Sequence, residues 1–376
     1  MNNTFALIYA SQGSPALRDL IELRSCAALP IAGRYRMIDI LLSNLTNSGV
    51  RSVGIITQRN YNSLMDHVGS GKEWNLSKKN GGLTILPPYD LATGNELFHG
   101  FVDALLSKRD YISHQRQPYC LLLGSEHLYR QDYNALIEKH MEAGADVTVL
   151  YSDDPKLLKD NGEEGTFFEM EGDRVTNILS APTGKDNCVA NLTAVIMDKK
   201  LLKTLVEDAC ANGEYIFSEG VLKAAIGNYK VVGLKHEGYV GRITSVKSYF
   251  DVNHDMLKPQ ILHEVFNAEF PVYTKTMDAP PSKFMRGCEV EHSLFGSGCD
   301  IKGRVKDSII FRGVTIDQTA DVENCIVMQN ARIESGAKVR NMIIDKNAVI
   351  GKDVRCISVP YDPKIIRKGT IVDKDL

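Results

Sequence analysis

The segment from 283 to 376 constrains the fold more than any other stretch. Apolar residues recur in it every six positions: Ile310, Ile316, Val322 and Met328, then in shifted phase Val327, Ile333 and Val339, then Ile344, Ile350 and Cys356. Gly, Asn or Asp residues stand between them (Gly313, Asp317, Asn324, Asn330, Gly336, Asn341, Asn347, Gly351). A six-residue period marks a parallel β-helix, in which each coil stacks small inward-pointing aliphatics on those of the next. An ordinary antiparallel domain could produce the same period by accident of its alternation. The period persists over several turns, which favours the β-helix.

The first two thirds read differently. Phe5 to Ala10 is a short apolar run, as in a buried parallel strand, and it stops at a loop of small residues, Ser11-Gln12-Gly13-Ser14. A sheet of this type holds a nucleotide phosphate over backbone N–H groups at that place. The loop nevertheless has one glycine, is followed by Pro15, and offers no early cation. Beyond it, strand-like and helix-like segments alternate: a helix over 36–48 ended by Gly49, a strand over 50–57, a short helix over 61–67, a strand over 83–86, a helix over 98–111, a strand over 119–124, a helix over 132–143 and a strand over 145–151. Alternation of this kind predicts a mostly parallel sheet covered by helices on both faces. From about 165 the pattern changes to a hairpin (166–179), a strand over 189–197, helices over 199–210 and 218–226, a strand over 229–234 and a closing helix over 245–257. Residues 259–282, with Pro271, Pro280 and Pro281, read as a linker of little regular structure.

Composition excludes several classes of function. A chain of 376 residues is long for one core, so two domains are expected. A net charge of −3 argues against nucleic acid as the main partner. The longest apolar runs fall far short of a membrane span. The eight cysteines form no Cys-x-x-Cys pair and nothing at the start reads as a signal peptide, so reduced thiols in a cytoplasm are expected rather than disulfides or structural zinc.

Particular motifs then carry a resemblance: GRYRMIDILLSNLTNSG (33–49), VGIITQ (53–58), HVGSGKEWNL (67–76), LTILPPY (83–89), GSEHLYRQDY (124–133), SYFDVNHDML (248–257) and PPSKF (280–284). With the hexapeptide region they resemble bacterial ADP-glucose pyrophosphorylase, glucose-1-phosphate adenylyltransferase, nearly end to end. The resemblance implies a Rossmann-like nucleotidyltransferase domain with a mixed, mostly parallel sheet (1–258), a linker (259–282) and a left-handed parallel β-helix of hexapeptide repeats (283–376).

The departures fall on charged positions. Catalytic members have a GGxGxRL-like loop, and its arginine is here Pro15 or Ala16; the lysine of an AKPA-like stretch is Cys26. Phosphoryl transfer depends on fixed positive charge at the phosphates. Arg18, Arg24 and Arg34 are possible geometric substitutes. Of two aspartates that hold Mg²⁺ in the family, one is Glu126, whose extra methylene displaces the carboxylate, and the other is Arg242, a reversal of charge. The lysine of an EEKP-like motif becomes Ala181. No catalytic set is therefore intact, and Ser11, Gln12, Gly13 and Ser14 remain as a nucleotide-loop remnant.

The chain thus resembles the noncatalytic, D-type regulatory subunit of glycogen biosynthesis. That implies no cofactor of its own, Mg²⁺ used by a catalytic partner subunit, a hetero-oligomer of tetrameric form, and a sugar-phosphate or nucleotide effector in an inter-domain cleft, with Lys283, Arg286, Arg312 and Arg332 as candidate contacts. A weakly active adenylyltransferase with rebuilt ligands is the second reading, supported by Glu126, His127, Asn95 and Asp103. An acyltransferase using the β-helix is the third, but that region offers only His292.

Overall fold

The computed structural model describes residues 3–11, 13–78, 81–88, 98–159 and 165–376. Nine strands form the main sheet, in the order 82–86, 52–57, 4–10, 119–124, 188–198, 147–152, 231–235, 174–179, 167–171. Thr4–Ala10 lies centrally in the first half, parallel to Ser52–Thr57 on one side and to Tyr119–Gly124 on the other. Its near-continuous burial explains why it carries no polar alternation. The long strand Cys188–Asp198 runs antiparallel between two parallel groups and makes the sheet mixed. Helices bury one apolar cluster on each face.

Two helices differ from expectation. The segment 98–111 is a pair, Phe101–Ser107 and Arg109–His114, broken at Lys108, whose side chain turns inward to donate to the Pro87 carbonyl. Residues 259–282 do not begin as irregular chain: Pro259–Val265 is a helix with proline in its first turn, where the missing N–H costs nothing.

The C-terminal region winds into three parallel sheets of short strands, one per side of the coil. Val322 lies over Val305, Val339 over Val322 and Cys356 over Val339, a repeat of 17 residues. Each coil therefore takes two six-residue steps and one of five, which explains the phase shifts in the sequence. The short step turns through Asp307, Asn324 and Asn341, all with left-handed φ, and Asn324 Nδ2 donates to Asn341 Oδ1 at 2.7 Å. Met328, counted with the inward set from its spacing, instead faces outward.

It does so with Ile309, Phe311, Ile326 and Ile343, and this apolar outer face packs against Leu17, Leu20, Tyr249, Phe250 and Met256 of the first lobe. Burying five large apolar side chains there contributes on the order of 10 kcal/mol. The two lobes share this core, and an ion pair crosses it. Arg24 Nη2 donates to both oxygens of Asp345 at 2.8 and 2.6 Å, each side chain only 3% exposed.

Candidate functional site

Two cavities, one at the N-terminal loop and one between the lobes, differ in charge. The first, of about 650 Å³, opens beyond the carboxyl ends of the sheet strands. Its walls include Ser11, Gly13 and Ser14 of the N-terminal loop and Pro15 after it, with Glu126, His127, Thr193 and Arg242. Gln12 and Asn95 lie outside the described residues. Gly13 is required for shape: its φ is +95°, and a Cβ there would stand 2.9 Å from Leu17 Cδ1 and 3.2 Å from Cys26 Cβ.

Oxygens of the loop are tied to neighbouring amides. Ser14 Oγ accepts from Ala16 N, Leu17 N donates to Ser14 O, and Cys26 N donates to Ser11 O. No α-helix follows to aim its N-terminus at a phosphate. Pro15–Ile21 is a 3₁₀ segment kinked at Arg18. Beneath it the Cys26 side chain is fully buried, its Sγ 3.6 Å from Ser125 O, and burial together with Glu126 pushes its thiol pKa far up. A neutral thiol thus occupies the ground below the loop.

Glu126 and Arg242 come together at the far wall. The strand pair Gly241–Arg242 and His127–Leu128 sets Arg242 opposite His127, and Ile243 N donates to Glu126 O at 2.8 Å. Glu126 Oε1 accepts from Thr193 Oγ1 at 2.7 Å. His127, buried between them, has its pKa pushed down to about 4, first by burial and then by Arg242, against the pull of Glu126. It is a neutral structural imidazole. Ala181 lies exposed beside the cavity, whose lining includes its neighbours Leu179 and Ser180. Asp103 is engaged as a cap, accepting from His99 N and Gly100 N.

The aromatic wall was not anticipated. Tyr9 stacks on Phe101 at 4.4 Å between centroids, Phe217 follows at 5.3 Å, and the Tyr9 hydroxyl bonds to Gln58. Tyr9, a hydroxyl-bearing ring near the end of an apolar strand, was the available signal. None of the three substitute arginines lines this cavity. Arg24 is held by Asp345, Arg18 faces Asp362 at 3.8 Å, and Arg34 belongs to the second cavity.

That second cavity, of about 180 Å³, lies between the lobes. Arg34, Arg36, Lys275, Arg312 and Lys346 converge on it, with Asp66 the one carboxylate in the described lining. None of these five cations forms an ion pair within 4.0 Å with a described carboxylate; Arg36 donates to Ser63 O at 2.6 Å and Lys275 to Asp66 O at 2.5 Å. Asp39, buried nearby, is occupied by Arg36 N and by His67 Nε2 at 2.5 Å. Burial, with repulsion from Arg36 and Arg24, pushes the Lys346 pKa down to about 7. Unpaired, partly desolvated cations facing one cavity bind anions.

Of the four effector candidates read from the sequence, only Arg312 reaches this cavity. Lys283 and Arg286 are exposed on the first coil, and Arg332 is paired with Asp317 at 3.2 Å and Glu334 at 3.7 Å on the outer face. Lys275 and Lys346 were missed because one stands in the proline-rich connection and the other in a repeat turn, where lysine carries no signal.

The nucleotidyl transferase family profile matches residues 15–238, and a GlmU-like C-terminal hexapeptide profile matches residues 280–363. Glucose-1-phosphate adenylyltransferases are similar along most of their length. That of Bacillus cytotoxicus is 30% identical over 324 residues, covering 85% of each chain. That of Geobacillus stearothermophilus is 31% identical over 84% of this chain and 82% of its own. That of Halalkalibacterium halodurans is 32% identical over 78% and 77%.

Proposed function

The chain belongs to the nucleotidyl transferase family, alongside glucose-1-phosphate adenylyltransferases, and we propose that it acts there as a noncatalytic regulatory subunit. In this role it associates with a catalytic adenylyltransferase subunit, as a heterotetramer in the cytoplasm, and modulates the formation of ADP-glucose and pyrophosphate from ATP and glucose 1-phosphate. One observation carries the reading: positive charge is sparse in the nucleotide-type cavity and concentrated in the inter-domain one. Arg242 is the one arginine in the described lining of the first, which has no lysine and also holds Glu126 and Glu219, whereas five cations face the second.

The first cavity is poorly suited to its ancestral chemistry. Its loop oxygens accept from Ala16, Leu17 and Cys26, and Pro15 and Cys26 offer no charge to a triphosphate. Mg²⁺ needs hard oxygen ligands in near-octahedral array. Glu126, held by Thr193 in a lining that also includes Arg242, does not fit that demand, so the Mg²⁺ is assigned to the catalytic partner. The inter-domain cavity suits a phosphate-bearing effector, a sugar phosphate or a nucleotide, gripped by Arg312, Arg34, Arg36, Lys275 and Lys346. The reading as a weakly active enzyme is favoured by Glu126, a carboxylate still facing an open cavity.

The test is to mix the purified chain with a catalytic glucose-1-phosphate adenylyltransferase subunit and follow both elution and turnover. Co-elution with a changed turnover or effector response is expected. Separate elution with unchanged kinetics would refute the regulatory role.

A further inference from the structure

We propose that Lys346 is a covalent modification site, whose side-chain amine is acylated by small acyl phosphates drawn into the inter-domain cavity. The inference rests on the anion-binding reading of that cavity and adds a chemical step to it. Lys346 enters the cavity from the β-helix, opposite Arg34 and Arg36 from the first lobe, with Arg312 and Lys275 completing the walls. Its Nζ makes no hydrogen bond or ion pair with any described residue, while its backbone N–H donates to Asp345 Oδ1 at 2.6 Å. Asp345 is in turn clamped by Arg24. The backbone beneath the amine is fixed, and the amine itself is left for the cavity.

The charged groups around it act in one direction. Arg36, Arg24 and Lys368 repel its proton and Asp345 retains it, with burial the largest influence, so the pKa falls to about 7. His67, also on the cavity wall, has its pKa lowered by burial, against the pull of Asp39 and with the help of Arg36 and Lys275. Such an amine is unprotonated near neutral pH to a far greater extent than an ordinary lysine. The neighbouring arginines meanwhile concentrate anions, which raises local reagent concentration by about tenfold or more. A nucleophile and a dianion-binding site therefore coincide.

The step balances without an oxidant or metal. The Nζ lone pair attacks the acyl carbon, the tetrahedral adduct collapses, and the C–O bond to phosphorus oxygen breaks with its electron pair on the departing phosphate. One amine proton leaves with that phosphate or to water. The lysine becomes a neutral amide that can no longer take up a proton, so the cavity loses the charge that a bound anion would otherwise draw onto it. Acylation thus weakens later anion binding at the same place.

Acetyl phosphate on the intact protein at pH 7.5 provides the test, with short exposures and site occupancy read by peptide mass spectrometry. Lys346 is expected to acetylate at least about tenfold faster than exposed Lys283 and Lys374, and the part of that excess owed to the reagent's charge should be lost in saturating sulfate and in Arg312→Ser. An uncharged acetyl ester serves as control; equal Lys346 preference with both reagents would overturn recruitment by the cavity. Sulfate binding is measured separately by calorimetry. If sulfate binds and Lys346 is not preferred, the acylation proposal fails while the anion site stands. If sulfate does not bind and Lys346 is not preferred, both fail.

Discussion

Breaking the Arg24–Asp345 pair should be among the costliest single changes in the chain. The partners are 321 residues apart in sequence, both nearly inaccessible, and joined by two charge-assisted hydrogen bonds, with Met328 Sδ 3.5 Å from the other guanidinium nitrogen. Arg24→Met leaves the carboxylate with one backbone donor, Lys346 N; Asp345→Leu leaves a buried guanidinium with none of its carboxylate contacts. Stranding a buried charge costs about 3–5 kcal/mol, whereas exposed pairs such as Arg367–Asp19 are worth about 0–1. The double variant Arg24→Met/Asp345→Leu strands nothing and should fall within about 2 kcal/mol of the parent, because apolar replacement of a buried pair is often neutral. Urea unfolding is the assay, followed at Trp74, the only tryptophan and fully buried in the first lobe, and by far-ultraviolet circular dichroism. Coincident transitions would license a single free energy. Single variants costing under about 1 kcal/mol, or a double variant costing the sum of the two, would refute the claim that this pair locks the lobes together.

Three further outcomes are expected. Burial holds the pKa values of His67, His127, His140, His236 and His254 below the ordinary histidine value. The unfolded chain therefore binds protons first, and stability present above about pH 6.5 should be lost as pH falls toward 4; a melting temperature flat across that range would contradict it. Native-state alkylation should label half-buried Cys288 well before Cys26, whose thiol is buried and shifted upward; equal rates would mean that the loop opens. The paired change Glu126→Asp/Arg242→Asp should restore measurable Mg²⁺ binding in calorimetry, and a flat isotherm would locate the greater defect in the phosphate loop.

Much of the architecture was legible because it is repetitive. Alternating strand and helix patterns identified the mixed sheet, and the six-residue period identified the β-helix. The seventeen-residue coil was not legible, since one short step through Asp307, Asn324 and Asn341 merely looked like a change of phase. Doublets such as Ile309-Ile310, Ile326-Val327 and Ile343-Ile344 did hold a signal: one member faces the coil interior and the other the first lobe. Pro15, Cys26, Glu126 and Arg242 were singled out because they fall inside the motifs that carry the resemblance. The inter-domain cavity could not, because its cations come from four separated segments brought together only by lobe packing. Burial decided the roles of Arg24 and His127, and burial is not visible in a single sequence.

The central claim is that this chain performs no adenylyl transfer by itself. The direct measurement supplies ATP, glucose 1-phosphate and Mg²⁺ to the purified chain, with phosphate-bearing effectors present and absent, and follows pyrophosphate and ADP-glucose. The regulatory role predicts no product above the no-protein control until a catalytic subunit is added. Sustained ADP-glucose formation by this chain alone, abolished by Glu126→Gln, would contradict it.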